Sequence, residues 1–470
     1  MAPHVRSENP SASWMTPARL NDDDFSMKEG RIFLGRTKDG RDIGVDDNRH
    51  IVTIAGSRAG KSATSLMSNL LTWDGSAIII DPKGELATNT ATERAKMGQD
   101  VHILDPFGEV EGDARQYCKT YNPFEALREA DPEDVVDEAS IIAEALVTSD
   151  GRQADHWTLS AKNLLRGLCL YAHHISPDNA SLVDVREILN APMEEAKKGA
   201  DDAKIALLSH FRSMMMDGDA FGGVLSGIGG SMFGKPKGER GSIVSTAIEQ
   251  TSFLDSARMR GQVQENGLPS MRLLKRKPTT IYLVLPASRM STHARWLRVI
   301  LTQAMTALEQ EKNVTARPVL FVLEEFPALG HVPLIESSAG LMAGYDVKLW
   351  TVMQDLSQLK AHYPRSWETF LGNAGVVEAF GNTDTTTLDY LSKRLGMSLA
   401  VQVQPEQSSL DTQKGGAQSE RDTIVNVPLI APYELALAFA REKQNKLVMI
   451  AGEQPFGLRR IFWKDIRDGG

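Results

Sequence analysis

The sequence predicts an α/β fold built on a central sheet of mostly parallel strands. Short runs rich in Val and Ile recur along the chain, and amphipathic helical patterns, such as those at 61–73 and 294–311, lie between them. The runs are apolar almost throughout, which is typical of strands that helices cover on both faces. The composition agrees, because 41% apolar and 24% charged residues in a chain of 470 exclude a disordered, collagen-like or membrane-embedded protein.

Eight segments carry this strand pattern, and each is bounded by turn residues. They are 51–55, 77–81, 100–104, 280–285, 319–323, 348–353, 376–380 and 446–451. Only helical patterns occur between 122 and 277, so the alternation of strand and helix is interrupted there. We therefore expect one α/β domain formed by 46–125 and 276–470, an inserted all-α domain at 126–275, and a leader with a strand at 1–45.

Two stretches are expected to be loops. Residues 218–241 are rich in glycine and contain the basic segment Lys235-Pro-Lys-Gly-Glu-Arg240. Glycine at this density disfavours a helix, so we expect a mobile surface loop, with a partner or DNA contact as the functional alternative. Residues 402–423 have almost no apolar content and are expected to form a flexible loop.

The charge of the chain limits where nucleic acid could bind. Lys and Arg total 52 against 61 Asp and Glu, a formal charge of −9, so a surface that binds DNA has to be local. The densest basic run consists of Arg258, Arg260, Arg272, Lys275, Arg276 and Lys277. It is interpreted either as a solvated helix face or as a DNA contact, which would lack sequence preference and weaken steeply with salt.

Targeting signals and redox chemistry are not indicated. No apolar run reaches the roughly 18 residues of a transmembrane helix, and the N-terminus lacks the apolar core of a signal peptide. The expected location is the cytoplasm, with partner proteins holding the chain peripherally at the inner membrane if it works there. Cys118 and Cys169 are expected to be free thiols.

A phosphate-binding loop is the strongest motif. The segment Ala55-Gly-Ser-Arg-Ala-Gly-Lys-Ser62 follows a predicted strand and opens a predicted helix, the context that a P-loop requires. Glycine lets the backbone wrap around a phosphate, and the helix N-terminus adds partial positive charge. Lys61 is expected to reach the β- and γ-phosphates and Ser62 to bind Mg²⁺, although Ala55 stands where the pattern has Gly. The residues expected to bind ATP are Gly56, Ser57, Arg58, Ala59, Gly60, Lys61, Ser62 and Ala63.

An acidic pair is the expected partner of this loop. The predicted strand 319–323 ends in Glu324 and Glu325, and two carboxylates after a buried strand are costly unless a cation lies near them. In P-loop ATPases such a pair completes the metal and water chemistry. Glu324 is therefore expected to hold Mg²⁺ with its water shell, and Glu325 to polarise the attacking water. Gln354, after the predicted strand 348–353, is expected to sense the γ-phosphate.

Further motifs occur in order along the chain. They are Ile80-Asp-Pro-Lys-Gly-Glu-Leu86, Leu104-Asp-Pro106, Tyr121-Asn-Pro123, Val322-Leu-Glu-Glu-Phe-Pro-Ala-Leu-Gly330, Gln354-Asp-Leu-Ser-Gln358, Phe380-Gly-Asn-Thr-Asp384 and Leu391-Ser-Lys-Arg-Leu-Gly396. Together with the P-loop, and from about Phe33 to Asp465, they resemble the TraG/TraD-type coupling proteins of conjugative type IV secretion systems. A P-loop alone would not identify this family, whereas Asp81-Pro-Lys-Gly-Glu85 with the other motifs does.

The resemblance implies a RecA-like P-loop NTPase core with the inserted all-α domain, assembled as a homo-hexameric ring. Members of the family are ATPases that bind DNA. They bring a relaxase–DNA complex or secreted proteins to the components of the secretion channel. The all-α domain is associated with recognition of these substrates.

The chain departs from the family pattern in three places. Most members carry N-terminal transmembrane helices, and none is expected here. The first acid of the Walker B segment is Glu324 rather than Asp. Many members have an arginine in place of Ala343, and that arginine reaches the nucleotide of a neighbouring subunit. Arg394 and Arg365 are the candidates for this role in trans.

Three functional hypotheses stay open at this point. The first is a DNA-stimulated ATPase motor that couples substrates to type IV secretion. The second is a recruitment adaptor that binds nucleotide with little turnover, which Ala343 and the lack of an anchor favour. The third is a soluble DNA translocase of the FtsK/HerA class. Turnover stimulated by DNA separates the second from the others, and co-purification with a relaxase or a channel ATPase separates the first from the third.

Overall fold

The computed structural model of the chain describes residues 12–148, 156–193, 206–313, 315–338, 342–405 and 420–467. The strands in these residues are β1 (Ile32–Arg36), β2 (Asp42–Val45), β3 (His50–Ala55), β4 (Ala77–Asp81), β5 (Asp100–Leu104), β6 (Thr279–Val284), β7 (Val319–Leu323), β8 (Val347–Met353), β9 (Ala374–Phe380), β10 (Met397–Pro405), β11 (Glu420–Pro428), β12 (Asn445–Ile450) and β13 (Phe456–Arg459). The α-helices in the same residues are α1 (Pro17–Leu20), α2 (Met67–Thr72), α3 (Glu85–Lys96), α4 (Glu125–Glu129), α5 (Val135–Leu146), α6 (His156–Ile175), α7 (Leu182–Leu189), α8 (Leu207–Met216), α9 (Val224–Gly234), α10 (Lys237–Gln250), α11 (Ala257–Gln264), α12 (Leu273–Arg276), α13 (Ala287–Gln310), α14 (Pro333–Ser338), α15 (Leu356–His362), α16 (Trp367–Gly372), α17 (Thr385–Leu395), α18 (Pro432–Ala438) and α19 (Trp463–Arg467).

Most of the described strands form one sheet of eleven, in the order β2-β1-β13-β12-β9-β3-β8-β7-β4-β6-β5. All neighbours from β9 to β5 run parallel. The remaining strands extend the sheet through antiparallel pairs. The predicted α/β fold with a parallel-rich central sheet is confirmed.

All eight predicted strands lie in this sheet, as β3 to β9 and β12. The strands β3, β4, β7, β8 and β9 are buried along their whole length, which explains their continuous apolar character. The eighth predicted strand, β12, differs from the other seven because it runs antiparallel to its neighbour β9. The strand expected within 1–45 is present as β1 and β2, and β13 had no counterpart in the sequence prediction.

The described residues between β5 and β6 form helices α4 to α12 and contain no strand of the large sheet. This helical region packs on α13 of the α/β core. The hydroxyl of Tyr121 donates to Gln303 at 3.2 Å, and the amide of Gln310 donates to the carboxylate of Glu138 at 2.8 Å. One apolar cluster runs through both parts. The division into an inserted domain at 126–275 therefore stays a prediction.

The prediction of a loop at 218–241 is wrong for most of this segment, because α9 and the start of α10 lie in it. The reason is the close approach of α8 and α9. A Cβ on Gly229 would lie 2.6 Å from the Cβ of Met214, 2.7 Å from the backbone nitrogen of Met215 and 2.8 Å from the carbonyl oxygen of Phe211. Glycine thus lets two helices pack almost backbone to backbone, and this packing outweighs its low helix propensity.

The prediction of a loop at 402–423 is wrong at both ends of this segment. Strands β10 and β11 form a separate antiparallel hairpin, with Met397 opposite Pro428 and Pro405 opposite Glu420. The intervening 406–419 lies outside the described residues. The strand pattern was present in the alternation of Leu399, Val401 and Val403 with polar or small residues, but the low apolar content concealed it.

In the parts of the chain that the structure describes, no helix combines the length and apolar character needed to cross a membrane. Cys118 is exposed and Cys169 is buried, and both are free thiols, as expected.

Candidate active site

The P-loop lies at the carboxyl end of β3, where the chain turns back from the sheet into a helix. Ala55 is fully buried at the end of the strand, a position that a small side chain fits. A Cβ on Gly56 would lie 1.9 Å from the carbonyl oxygen of Gly381, so only glycine lets the loop pass the end of β9. Arg58 and Gly60 have φ of +54° and +86° and form the tight turn. Ser57 and Arg58 are exposed on its outer side.

The helix after the loop opens with one π-helical turn, Ser62–Leu66, and continues as α2. The carbonyl of Gly60 accepts hydrogen bonds from the backbone N–H of Thr64 at 2.9 Å and from its hydroxyl at 2.8 Å. Such π-helical turns are frequent at functional sites. The helix N-terminus adds partial positive charge next to the loop, which suits a bound phosphate.

Lys61, Glu325 and Gln354 form a connected group at the carboxyl ends of β3, β7 and β8. The ammonium of Lys61 makes an ion pair with the carboxylate of Glu325. The amide of Gln354 donates to the same carboxylate at 3.2 Å, while the backbone carbonyl of Gln354 accepts from the amide of Asn382 at 3.2 Å. Glu325 has left-handed backbone angles, φ +54° and ψ +41°, and such strain in a non-glycine residue is concentrated at functional sites.

Ser62 and Glu324 form a second pair deeper in the site. The hydroxyl of Ser62 donates to the carboxylate of Glu324 at 2.6 Å. Burial, together with the nearby charge of Asp81, raises the pKa of Glu324 to about 7. Burial likewise raises the pKa of Asp81 to about 6, although the backbone N–H groups of Ala87 and Lys83 donate to it. Raised pKa values on two adjacent carboxyl groups indicate a position where a cation would relieve their repulsion.

The residues at this position fit a magnesium ion. Hard divalent cations take oxygen ligands, and Mg²⁺ is commonly held by one or two carboxylates together with phosphate oxygens. The hydroxyl of Ser62 and the carboxylate of Glu324 are such ligands, and Asp81 adds a third oxygen donor group beside them. Asp81 was identified from the sequence only as part of a motif, and its place next to Glu324 was missed.

Arg460 is a further residue that sequence reasoning missed. Its side chain is buried at the end of β13 and donates to the carbonyl of Ala59 in the P-loop and, at 2.7 Å, to the carbonyl of Arg441. Its guanidinium also lies 4.6 Å from the ring centre of Phe380. The same chain therefore places a buried cation against the P-loop. No motif could have revealed it, because the contact joins residues 401 positions apart.

A buried polar network connects the strands of the sheet to the helix that follows the P-loop. Glu378 and Lys446 form a fully buried ion pair at 2.6 Å. Lys446 also donates to Ser65 at 3.3 Å, and Glu378 accepts from Thr53, which in turn accepts from the indole of Trp350 at 2.8 Å. These contacts join β3, β8, β9 and β12 to the first turn of the P-loop helix. They fix the strand ends relative to the loop.

The structure brings Lys61, Ser62, Glu324, Glu325 and Gln354 together, and it leaves both candidate arginines on the surface. In the described chain, the guanidinium of Arg394 contacts the carbonyl of Leu371 at 3.1 Å and the hydroxyl of Tyr390 at 3.2 Å. Arg365 is exposed between α15 and α16. The side chain of Ala343 lies outside the described part of the structure.

Comparisons of the sequence with known proteins indicate one family. A family model described as Type IV secretory system Conjugative DNA transfer matches residues 5–468. Protein VirD4 of Rhizobium rhizogenes is 24% identical over 431 residues, which cover 88% of this chain and 58% of VirD4. Conjugal transfer protein TraG of Escherichia coli is 26% identical over 444 residues, which cover 88% of this chain and 67% of TraG.

Solved structures show the same fold. Plasmid coupling protein TrwB in complex with ADP and Mg²⁺ has a TM-score of 0.65 at 14% identity, covering 96% of this chain and 93% of that one. The trigonal form of TrwBdeltaN70 in complex with sulphate has a TM-score of 0.66 at 15% identity, covering 97% and 96%. At these identities the likeness concerns the fold alone, which is the expected P-loop NTPase fold.

The chain spans 58% of the length of VirD4 and 67% of the length of TraG. The family model nevertheless matches almost all of this chain, and the resemblance inferred from the ordered motifs is confirmed. The chain thus belongs to the family of type IV secretory system conjugative DNA transfer proteins.

Proposed function

We propose that this chain is an ATP-hydrolysing coupling protein, which binds DNA or protein substrates and delivers them to a type IV secretion channel during conjugative DNA transfer. The observation that carries the proposal is the convergence of Lys61, Glu325 and Gln354 beside the P-loop. The family match supports it, and so does the similar fold of TrwB, a plasmid coupling protein solved in complex with ADP and Mg²⁺. The proposed location is the cytoplasm, with peripheral attachment to the inner membrane through partner proteins.

The chemistry follows from the contacts of Lys61. A γ-phosphate that enters the loop competes with Glu325 for the Lys61 ammonium. Once the phosphate holds Lys61, the carboxylate of Glu325 can accept a hydrogen bond from the attacking water. The amide of Gln354 keeps donating to this carboxylate and so holds its orientation. Occupation of the phosphate site is thereby linked to activation of the water.

Ser62 and Glu324 would hold Mg²⁺, with Asp81 beside them. When bound, this ion neutralises charge on the phosphate oxygens of ATP. Glu324 is one methylene longer than the Asp that is usual at this position. Its hydrogen bond to Ser62 holds the longer side chain against the P-loop helix.

The function is tested by measuring ATP hydrolysis with and without DNA, followed by co-purification from donor cells. We expect DNA to raise the hydrolysis rate and a relaxase or a channel ATPase to co-purify with the chain. Nucleotide binding with little turnover, unchanged by DNA, would favour the adaptor. DNA-stimulated turnover without any secretion partner would favour a translocase of the FtsK/HerA class.

The active assembly is proposed to be a homo-hexamer, with a cation supplied in trans. Arg394 and Arg365 are exposed, as a residue that reaches a neighbouring subunit must be. An arginine inserted at the γ-phosphate contributes about 10³- to 10⁵-fold in related NTPases. We therefore expect ATP hydrolysis per subunit to rise with protein concentration and to fall when wild-type subunits are mixed with Arg394→Ala or Arg365→Ala subunits.

Lys393→Ala is the matched control for this mixing experiment, because Lys393 is an exposed neighbour in the same turn of α17. It should leave the activity of mixtures unchanged. Activity per subunit that stays flat from dilute to concentrated protein, with no effect of either arginine, would contradict a shared site. In that case Arg460, which already contacts the P-loop of its own chain, is the remaining candidate cation.

A further inference from the structure

The structure divides the basic run that the sequence singled out. Three of its six members are paired with carboxylates of the same chain: Arg260 with Glu187, Arg276 with Glu311 at 2.7 Å and Lys277 with Asp100 at 2.5 Å. The other three donate to neutral groups: Arg272 to Gln310 at 2.9 Å, Lys275 to the carbonyl of Glu311 at 3.2 Å and Arg258 to the carbonyl of Phe107 at 2.6 Å. Of these, Arg258 is the one that lines the cavity described below, and its positive charge is not neutralised by the contact with Phe107.

Arg258 lies at a cavity of about 550 Å³ beyond the carboxyl ends of β5 and β6. The lining includes Phe107, Glu109, Arg258, Ser288, Arg289 and His293. The guanidinium of Arg289 lies over the ring of Phe107, 5.4 Å from its centre, so both arginines are gathered around this aromatic residue. A cavity of this volume is large enough for a nucleotide unit.

Two helices begin in the wall of this cavity. The lining contains Ser256 and Ala257, at the start of α11, and Pro286 and Ser288, at the start of α13. Neither helix has an acidic residue in its first turn, so the partial positive charge of both N-termini is not offset locally. Glu109 is the single carboxylate among the lining residues, and its charge is outweighed by the two arginines and the two helix ends.

His293 forms part of the cavity wall and packs against its aromatic residue. Its side chain is only 8% exposed, yet it lines the cavity, and its Nε2 atom has no hydrogen-bond partner among the described residues. The other ring nitrogen, Nδ1, lies 2.6 Å from the hydroxyl of Thr292, and the ring packs edge-on against Phe107. The ring of His293 therefore holds Phe107 in place, and the two guanidinium groups gathered around Phe107 are left to bind a ligand.

We propose that the cavity between the N-termini of α11 and α13 binds a phosphate of the DNA backbone, held by Arg258 and Arg289. The inference rests on the proposed function, which it refines by assigning the residues that contact DNA. Charge-assisted hydrogen bonds from the two guanidinium groups hold the phosphate oxygens, and the N-termini of both helices face it. The contact reads phosphate rather than base edges, so it carries no sequence preference.

The test is the affinity for a fluorescein-labelled oligonucleotide, measured by anisotropy across a salt series, for the full chain. Removing both arginines in Arg258→Gln/Arg289→Gln should weaken binding about tenfold or more at low salt. It should also reduce the slope of log affinity against log salt by about 0.7 to 0.9, the contribution of the one phosphate bound in the cavity. Arg260→Gln/Arg276→Gln is the matched control from the same basic run, because both arginines are paired with carboxylates, and it should leave affinity and slope unchanged.

A second variant keeps the test independent of folding defects. Ser288→Glu places a carboxylate in the first turn of α13, where it favours the helix, but it repels a phosphate in the cavity. It should therefore bind DNA more weakly than wild type while its melting temperature is unchanged or raised. Binding of a fluorescent ATP analogue should be the same in all of these variants.

The outcomes separate this site from the proposed function. If the wild type binds DNA and both the double glutamine variant and Ser288→Glu match it in affinity and salt slope, the site is wrong and the proposed function stands. If inorganic phosphate binds here but DNA affinity is unaffected, the cavity is an adventitious anion site only. If the wild type binds the ATP analogue but no DNA, the DNA-binding function fails and this site fails with it.

Discussion

Replacing Lys61 by alanine is expected to lower the rate of ATP hydrolysis by about 10²- to 10³-fold or more and to weaken ATP binding. The ammonium of Lys61 is the P-loop cation that would hold the phosphates, and it also neutralises Glu325. Without it, the carboxylates of Glu324 and Glu325 face an incoming triphosphate with no positive side chain between them. The loss should therefore appear both in the steady-state rate and in the affinity for a fluorescent ATP analogue.

The fold should survive this change, because Lys61 is at the edge of the site and belongs to none of the buried apolar clusters of the described residues. An unaltered melting temperature and circular dichroism spectrum would establish that. Lys96→Ala is the matched control, since Lys96 is an exposed lysine on α3 that contacts only Glu93 among the ion pairs described. Hydrolysis at the wild-type rate by Lys61→Ala would remove the assignment of the P-loop as the nucleotide site.

The central sheet could be predicted because its strands are covered on both faces. Burial along β3, β4, β7, β8 and β9 requires continuous apolar runs, and such runs are visible without any structure. The core of the site was predictable for a related reason. Parallel strands end at one edge of a sheet, so polar residues directly after β3, β7 and β8 had to meet there.

The parts that could not be predicted depend on contacts between distant segments. Arg460 contacts Ala59 across 401 positions, and the pKa of Asp81 is raised mainly by its burial in the folded chain, with a smaller contribution from the charge of Glu85. The helix α9 was missed because glycine has a low helix propensity. Its glycines are tolerated because Gly229 packs closely on Met214, and a contact of this kind cannot be read from local sequence. The hairpin β10–β11 was missed because its strands lie apart from the sheet and have a weak apolar pattern.

The second large effect is expected for Glu325→Gln, which should lower the hydrolysis rate about 10²- to 10⁴-fold while ATP still binds. The amide keeps the size of the side chain but cannot polarise the attacking water. It also no longer competes with the γ-phosphate for Lys61, because the ion pair is lost. We therefore expect the affinity for ATP to be equal to that of the wild type or higher, in contrast to Lys61→Ala. Equilibrium binding of a fluorescent ATP analogue and single-turnover hydrolysis separate the two quantities.

Glu324→Gln is the matched comparison, since it makes the same chemical change one residue away. Glu324 accepts a hydrogen bond from Ser62 and lies near Asp81, whereas the ion pair of Lys61 is made with Glu325, so the loss of Glu324 should raise the Mg²⁺ concentration needed for half-maximal hydrolysis. At saturating Mg²⁺ part of its activity should return, whereas no Mg²⁺ concentration should restore Glu325→Gln. A magnesium titration of both variants therefore distinguishes a metal ligand from a residue that activates water. If both variants hydrolyse ATP at the wild-type rate, the two carboxylates are only the end of β7, and the roles proposed for them are wrong.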